Sequence, residues 1–259
     1  MFESITSLSN PKIKNLVALR KSGVRKEQGV TLIDGIKELQ GAARGGAVIK
    51  ELYILEGCGG VDDIVAQSEK TYQIPPAVYE KVAYGERSDG IIAVVEPHKL
   101  NINQLEVKKA PLYVVLENVE KPGNLGAILR TCDGAGVDAV FVCDQQTDIY
   151  NPNAIRASLG TIFTNTVVTA SSDEVIAFLQ KNNVTICATT PDTDQVYDKA
   201  DYQGALAIAM GEEHKGLTDK WLEVADLKVS IPMAGAADSL NVSVSTAVVL
   251  FEAVRQRNN

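Results

Sequence analysis

No stretch of this 259-residue chain approaches the roughly 18–20 consecutive apolar residues that a membrane-spanning helix needs. Its first residues, MFESITSLSNPKIKN, lack the charged-then-apolar pattern of a secretory leader. The four cysteines, Cys58, Cys132, Cys143 and Cys187, are scattered and form no CxxC pair. A zinc site or a disulfide framework is therefore not expected, and the cysteines read as small buried apolar residues. The only histidines, His98 and His214, lie far apart. That gives little support to a His-rich metal site or a Ser-His-Asp triad. The default expectation is a cytosolic globular protein with no membrane partner and no metal.

The chain also lacks an excess of positive charge. Its formal net charge is −8, which argues against generic nucleic-acid binding. The charge is unevenly spread, however. Residues 1–50 carry nine Lys or Arg against four Asp or Glu, so a locally basic segment sits on an acidic body. A local field of that kind can still steer a polyanion. Lys12, Lys14, Arg20, Lys21, Arg25 and Lys26 are the expected phosphate contacts. The same residues also fit a solubilising face.

What is present is an alternation of strand and helix patterns over a length that suits one large or two modest domains. In the first part, residues 10–22 read as a helix with Asn10 as cap and Pro11 in the first turn. Arg25, Lys26 and Glu27 follow as a loop. Strands are expected at 29–35, 48–55, 71–74 and 90–96, with helices at 36–44, 61–69 and 76–83. This makes a smaller α/β domain over residues 1–97. Polar residues 98–110 read as a linker. From 111 to 259, buried strands at 111–119, 138–144, 164–170, 184–190, 204–211 and 227–233 alternate with helices at 125–136, 151–160, 172–183, 217–226 and 241–257. Apolar strands separated by helices predict a parallel sheet covered on both faces.

In such sheets ligands sit beyond the C-terminal strand ends. Three of these ends carry unusual residues. The first holds Asn118, Asn124, Gly126 and Arg130. Gly126 and Arg130 are four apart and share a helix face, and an arginine there can grip a phosphate or carboxylate. A surface arginine in a salt bridge, with Asn124 as a plain cap, fits equally. The second is GEEHKG, 211–216, where two glycines frame Glu212 and Glu213. The third is IPMAGAADSLNVSVS, 231–245. It passes through small residues and ends in Ser239, Asn241 and Ser243 at a helix start, where short polar side chains satisfy orphan N–H groups. GxGxxG is present only as the fragment Gly123-x-x-Gly126, and no P-loop occurs, which argues against NAD and ATP chemistry.

Taken together and in this order, LENVEKPGNLGAILRTCDGAGV, AMGEEHKG and IPMAGAADSLNVSVSTAVVLFEA closely resemble the three motifs of the SpoU (TrmH-like) branch of the SPOUT superfamily. These are S-adenosylmethionine-dependent RNA 2′-O-ribose methyltransferases. The N-terminal S-x-x-N-P-x-I-K at 7–14 and the Asp34-Gly35 turn more loosely resemble the accessory RNA-binding domain of such enzymes, a fold similar to a small ribosomal protein. The resemblance implies a deep trefoil knot in the C-terminal domain and a homodimer with the active site at its interface. It implies S-adenosylmethionine bound bent in the knot, held through backbone at Gly211, Ile231 and Leu240, with Ser239, Asn241 and Ser243 lining the pocket. By motif position, Asn124, Arg130, Glu213, Ser239 and Asn241 carry the catalysis.

A ribose hydroxyl attacking a sulfonium methyl needs its proton removed or its developing alkoxide stabilised. Arg130 is the residue the family offers for this. Arginine stays protonated, so electrostatic stabilisation and a phosphate grip suit it better than a base role. The expected substrate is 23S-type ribosomal RNA. A tRNA substrate, a non-catalytic RNA-binding protein of the same fold, and a methyltransferase for a small molecule or protein are the alternatives.

Overall fold

The computed structural model describes residues 2–84, 89–144, 148–213 and 215–258. The chain forms two compact units. One comprises residues 1–98 and 148–164; the other comprises 99–147 and 165–259.

The first unit is built on a mixed five-stranded sheet. Its strands are β1 (Glu3–Ser4), β2 (Thr31–Ile33), β3 (Val48–Leu55), β4 (Thr71–Ile74) and β5 (Ile91–Glu96), in the order β1-β4-β3-β5-β2. β1 and β3 run parallel to β4, while β5 is antiparallel to both β3 and β2. The helix at the N-terminus is Pro11–Ala18, and the Asn10 side chain accepts from the Lys12 N–H. Its Ile13 and Leu16 are buried with Leu32, Tyr53, Tyr72 and Ile92 of the sheet. That is the 3.6-residue spacing of the sequence converted into one buried face.

The segment read as a loop at 25–27 is instead helical, Ser22–Gln28, ending on Gly29 at φ 68°. Arg25 explains the difference. Its side chain is only 3% exposed. The guanidinium donates to the Leu19 and Arg20 carbonyls and pairs with Asp148 at 2.7 Å. This helix turn is thus held by a side chain that sequence patterning assigns to solvent.

Residues 148–164 belong to this unit by several contacts. The Thr31 hydroxyl donates to the Tyr150 carbonyl (2.6 Å), and Arg156 pairs with Asp34 at 3.5 Å. Burial raises the pKa of Asp34, while the Tyr84 N–H and Arg156 pull it down. A β-carbon at Gly41 would approach the Gly160 carbonyl oxygen to 2.9 Å, so the helix Ile36–Arg44 lies directly on that backbone.

The second unit holds a six-stranded, wholly parallel sheet. Its strands are β6 (Leu112–Glu117), β7 (Ala139–Cys143), β8 (Val167–Ala170), β9 (Thr185–Thr189), β10 (Leu206–Met210) and β11 (Leu227–Val229), in the order β11-β9-β10-β6-β7-β8. β6, β7 and β10 are buried at every position. This is the signature of a sheet covered on both faces. Tyr113, Val115, Phe141, Ile186, Ala188, Ala207 and Ala209 form one face with Val175 and Leu179 of the helix Ser172–Lys181 and with Trp221. The alternate residues, Val114, Leu116 and Ile208, are equally buried on the opposite face. The C-terminal helix Val242–Arg257 packs on β10 and against the helix Pro122–Ala135.

Of residues 98–110, read as a linker, 99–110 lie in this unit. Leu100, Ile102 and Leu105 pack against its core, and Leu100 bridges to Val168.

Candidate active site

Three C-terminal strand ends of the parallel sheet supply the site. β6 runs into Asn118, whose φ of 54° turns the chain sharply. The following helix starts at Pro122, three residues earlier than the pattern suggests, with Lys121 at the cap position. Proline fits there because the first helical N–H has no partner to lose. Asn124 therefore stands inside the first turn and is not the cap. Its side chain is free to point across the strand ends.

β10 runs into Gly211, where a β-carbon would overlap the Gly216 backbone. Only glycine allows that approach. The loop is closed at its base by Glu212 N–H to Gly216 C=O (3.1 Å) and Gly216 N–H to Glu212 C=O (2.9 Å). Glu213 lies at the tip. His214 lies outside the described residues. β11 runs through Ser230 and half-buried Ile231 into residues 232–240, which are exposed throughout and make no backbone–backbone hydrogen bond among the described residues. Asn241 then caps the C-terminal helix by accepting from the Ser243 N–H at 2.9 Å.

These three segments meet in one chain of side-chain hydrogen bonds. Asn241 Nδ2 donates to Asn124 Oδ1 (3.2 Å), and Asn124 Nδ2 donates to Glu213 Oε1. The direction of both amides follows from their ends. The Ser243 N–H can only donate, so Asn241 must turn its oxygen toward it and its NH2 toward Asn124. Asn124 must then accept on its oxygen and donate onward. Glu213 terminates the chain as an acceptor, the role of an ionised carboxylate. Ser243 Oγ adds a second bond to Asn241 Oδ1 (2.6 Å). Residues 117 positions apart are thereby locked in one orientation.

Residues 111–251, which span all three strand ends, match the SpoU rRNA methylase family. The chain belongs to that family. Residues 10–93 match the MRM3-like substrate-binding domain. The chain is 36% identical to the 23S rRNA (guanosine-2′-O-)-methyltransferase RlmB of Ralstonia nicotianae, over 68% of this chain and 73% of that protein. Its fold is similar to a crystal structure of an RNA 2′-O ribose methyltransferase, with 37% identity, a TM-score of 0.87, and coverage of 99% and 100% of the two chains. It is also similar to the AdoMet-bound rRNA methyltransferase of Sinorhizobium meliloti, with 28% identity, a TM-score of 0.91, and 98% of each chain covered.

Not every residue named from the SpoU motifs joins the hydrogen-bonded set. Arg130 is exposed, whereas Gly126, four residues before it, is buried beside Leu125 and Leu129. The two do not present one open face, as their spacing suggests. Arg130 has no hydrogen bond or ion pair among the described residues, so its guanidinium is available to a ligand. Among the described residues the Ser239 hydroxyl donates to Asp238 alone (3.4 Å), and the Leu240 side chain is exposed. The structure adds a pair to which the motif resemblance assigns no role, Glu117 of the first motif segment and Thr218 just after the second. Glu117 is buried at the end of β6 and accepts from both the N–H and the hydroxyl of Thr218. Its signal was a lone acid closing the apolar run LYVVL.

In the first unit the basic residues divide. Arg25 is withdrawn as a phosphate contact, because it is buried and its donors are engaged. Lys12 sits 4.8 Å over the Tyr72 ring and pairs with Glu51 at 2.5 Å. The hydrogen bond to Glu51 holds its pKa above the usual lysine value. Arg20 donates to the Lys81 and Ala83 carbonyls at the end of the helix Pro76–Val82. Lys14, Lys21 and Lys26 are exposed and unpaired among the described residues.

Proposed function

We propose that this SpoU-family chain transfers the methyl group of S-adenosylmethionine to a ribose 2′-hydroxyl of RNA, with 23S ribosomal RNA as the substrate. One observation carries the reading. The side chains of Asn124, Glu213 and Asn241, one from each of the three motif segments, are hydrogen-bonded to one another at the C-terminal edge of the parallel sheet. The RlmB relative and the AdoMet-bound neighbour bear names of the same chemistry.

The residues fit the cofactor. Residues 232–240 make no backbone–backbone hydrogen bond among the described residues, so their N–H and C=O groups are available to a purine edge. Gly211 supplies a side-chain-free wall. Gly211, Ile231 and Leu240 hold the cofactor through backbone, with Ser239, Asn241 and Ser243 around it. Bound there, S-adenosylmethionine supplies a methyl already activated by the sulfonium charge. The protein's own part is to place the ribose and stabilise charge on its 2′-oxygen. Arg130 does this as a fixed cation that also grips the adjacent phosphate. Asn124 and Glu213 orient the site.

In the same reading the protein works as a homodimer with the active site at the interface. The C-terminal helix leaves Val244 and Phe251 exposed, Phe251 at 48%, on one face two turns apart. A second copy of the chain packed on this face would cover both side chains. A deep trefoil knot accompanies the reading, in keeping with the return of the C-terminal helix from edge strand β11 to interior strand β10.

The test is transfer of labelled methyl to purified 23S rRNA and to total tRNA. Ribose-linked label in 23S rRNA, lost by about 10²–10³-fold in Arg130→Ala, is expected for loss of a group that stabilises developing charge. Label in tRNA alone would reassign the substrate. Cofactor binding without transfer to either RNA would favour a non-catalytic RNA-binding protein.

RNA engagement by the first unit has its own expected result. Replacing Lys14, Lys21 and Lys26 together with alanine should weaken RNA binding and flatten its salt dependence. The slope of log K against log salt should fall by roughly 0.7–0.9 for each phosphate no longer neutralised. Filter binding across a salt series measures it. An unchanged slope would move the RNA interface elsewhere.

A further inference from the structure

We infer that Glu117 is a positioning residue for the methyl-transfer site, acting through Thr218 to hold the cofactor loop in register with the helix that carries Asn124 and Arg130. The inference rests on the function proposed above and extends it to a residue outside the catalytic set.

Glu117 ends β6 in the middle of the sheet, at 2% exposure. A carboxylate is costly to bury unless its oxygens are satisfied. Here both partners belong to one residue 101 positions away. Oε2 accepts from the Thr218 N–H at 2.8 Å, and Oε1 accepts from the Thr218 hydroxyl at 2.7 Å. Thr218 is the cap residue of the helix Asp219–Val224, yet its hydroxyl makes no capping bond there. A threonine at that position ordinarily satisfies its own helix. Here the hydroxyl is turned to Glu117 instead.

The connection closes a ring. From Glu117 the chain turns at Asn118 and reaches Asn124, which donates to Glu213. From Glu213 the loop passes Gly216 and reaches Thr218, which returns to Glu117. Both chain segments in this ring are short, and the Gly211–Gly216 approach pins the loop at its base. Releasing the Glu117 end frees the stretch after Gly216 to shift. The shift reaches Gly211 and Glu213 on one side and Asn124 on the other. Catalytic geometry is sensitive to displacements of this kind.

The experiment uses the full chain. Affinity for S-adenosylmethionine is measured by calorimetry well below the melting temperature, alongside kcat and KM for RNA. Glu117→Ala is expected to weaken cofactor binding at least tenfold and to lower kcat, while KM for RNA changes less than twofold. Glu117→Gln is expected to retain most affinity, because its oxygen still accepts from the N–H and its amide can donate to the threonine hydroxyl. Thr218→Ser keeps both bonds and should behave likewise. Thr218→Val removes one bond and should fall between; it also serves if Glu117→Ala does not fold. A purely structural role predicts lower melting temperatures with unchanged cofactor affinity, and that result would overturn the inference. Equal damage from Glu117→Gln and Glu117→Ala would overturn it too. Failure of the unmodified protein to bind the cofactor would instead sink the proposed function.

Discussion

Replacing Asn124 with aspartate should sharply reduce methyl transfer, and replacing Glu213 with glutamine in the same chain should restore much of it. The expectation follows from the one-way chain running from Ser243 N–H through Asn241 and Asn124 to Glu213. The introduced aspartate could still accept from Asn241. Toward Glu213, however, it would present an oxygen to an oxygen, two anions at hydrogen-bond distance. Loss of a charge-assisted bond costs about 1.5–3 kcal/mol, and repulsion adds to it. Every ~1.36 kcal/mol is tenfold in rate, so a fall of about 10²–10³-fold is expected.

Glutamine at 213 reverses the final link. Its NH2 donates to the new carboxylate, which now accepts from both neighbours, and the negative charge has moved from one residue to the other. The single variant Glu213→Gln does not have this compensation, because its flexible amide meets the Asn124 donor with either a neutral acceptor or another donor. The pH dependence of Asn124→Asp carries a sign of its own. A proton shared between two carboxylates relieves the repulsion, since like charges raise the pKa of one member of a pair. Activity of that variant relative to the unmodified chain should therefore improve as pH falls. The measurement is kcat/KM for the four proteins of the cycle across pH. Three equally inactive variants, or a double mutant no better than either single one, would show that the hydrogen-bond chain does not set the geometry that matters.

A fragment of residues 1–97 should fail to fold, although its sequence contains all five strands of the first sheet. The compact unit includes 148–164. Without that segment, the Arg25 guanidinium loses its anion, Asp148. Breaking a buried pair on one side costs about 3–5 kcal/mol. Thr31 loses the Tyr150 carbonyl, Asp34 loses Arg156, and the helix Ile36–Arg44 loses the Gly160 backbone beneath it. Against a total stability of about 5–15 kcal/mol for a domain, these losses leave little. Circular dichroism and thermal melting of the fragment provide the measurement, and a cooperative transition close to that of the full chain would refute the expectation. Within the full chain, Asp148→Ala should lower stability by about 3–5 kcal/mol, and Arg25→Met with Asp148→Leu by less, because the double change removes both charges together.

These two cases show where reading the sequence succeeds and where it stops. The strand at 71–74 and the helix at 36–44 are legible from period, because each buries one face. The wholly parallel second sheet follows from uninterrupted runs such as LYVVL and ALAIAM. The helix at Ser22–Gln28 was not legible. Its decisive residue is Arg25, a charge that patterning places in water and that the fold encloses with Asp148, 123 residues away. The site divides in the same manner. Asn124, Glu213 and Asn241 stand out because short polar residues beside glycines at strand ends suit a ligand, and the motifs name them. Nothing local indicates that they bond to one another, or that Glu117 and Thr218 close the ring.

Amino-acid order alone therefore decided most of the elements, the parallel sheet, the family and the residues worth watching. Those depend on periodicity, turn chemistry and motif spacing, all short-range properties. Tertiary structure decided which charges are available to a ligand, which way each amide points, and that residues 148–164 complete the first unit. Each of these depends on a partner distant in sequence, and hydrogen-bond direction and burial exist only once that partner is in place.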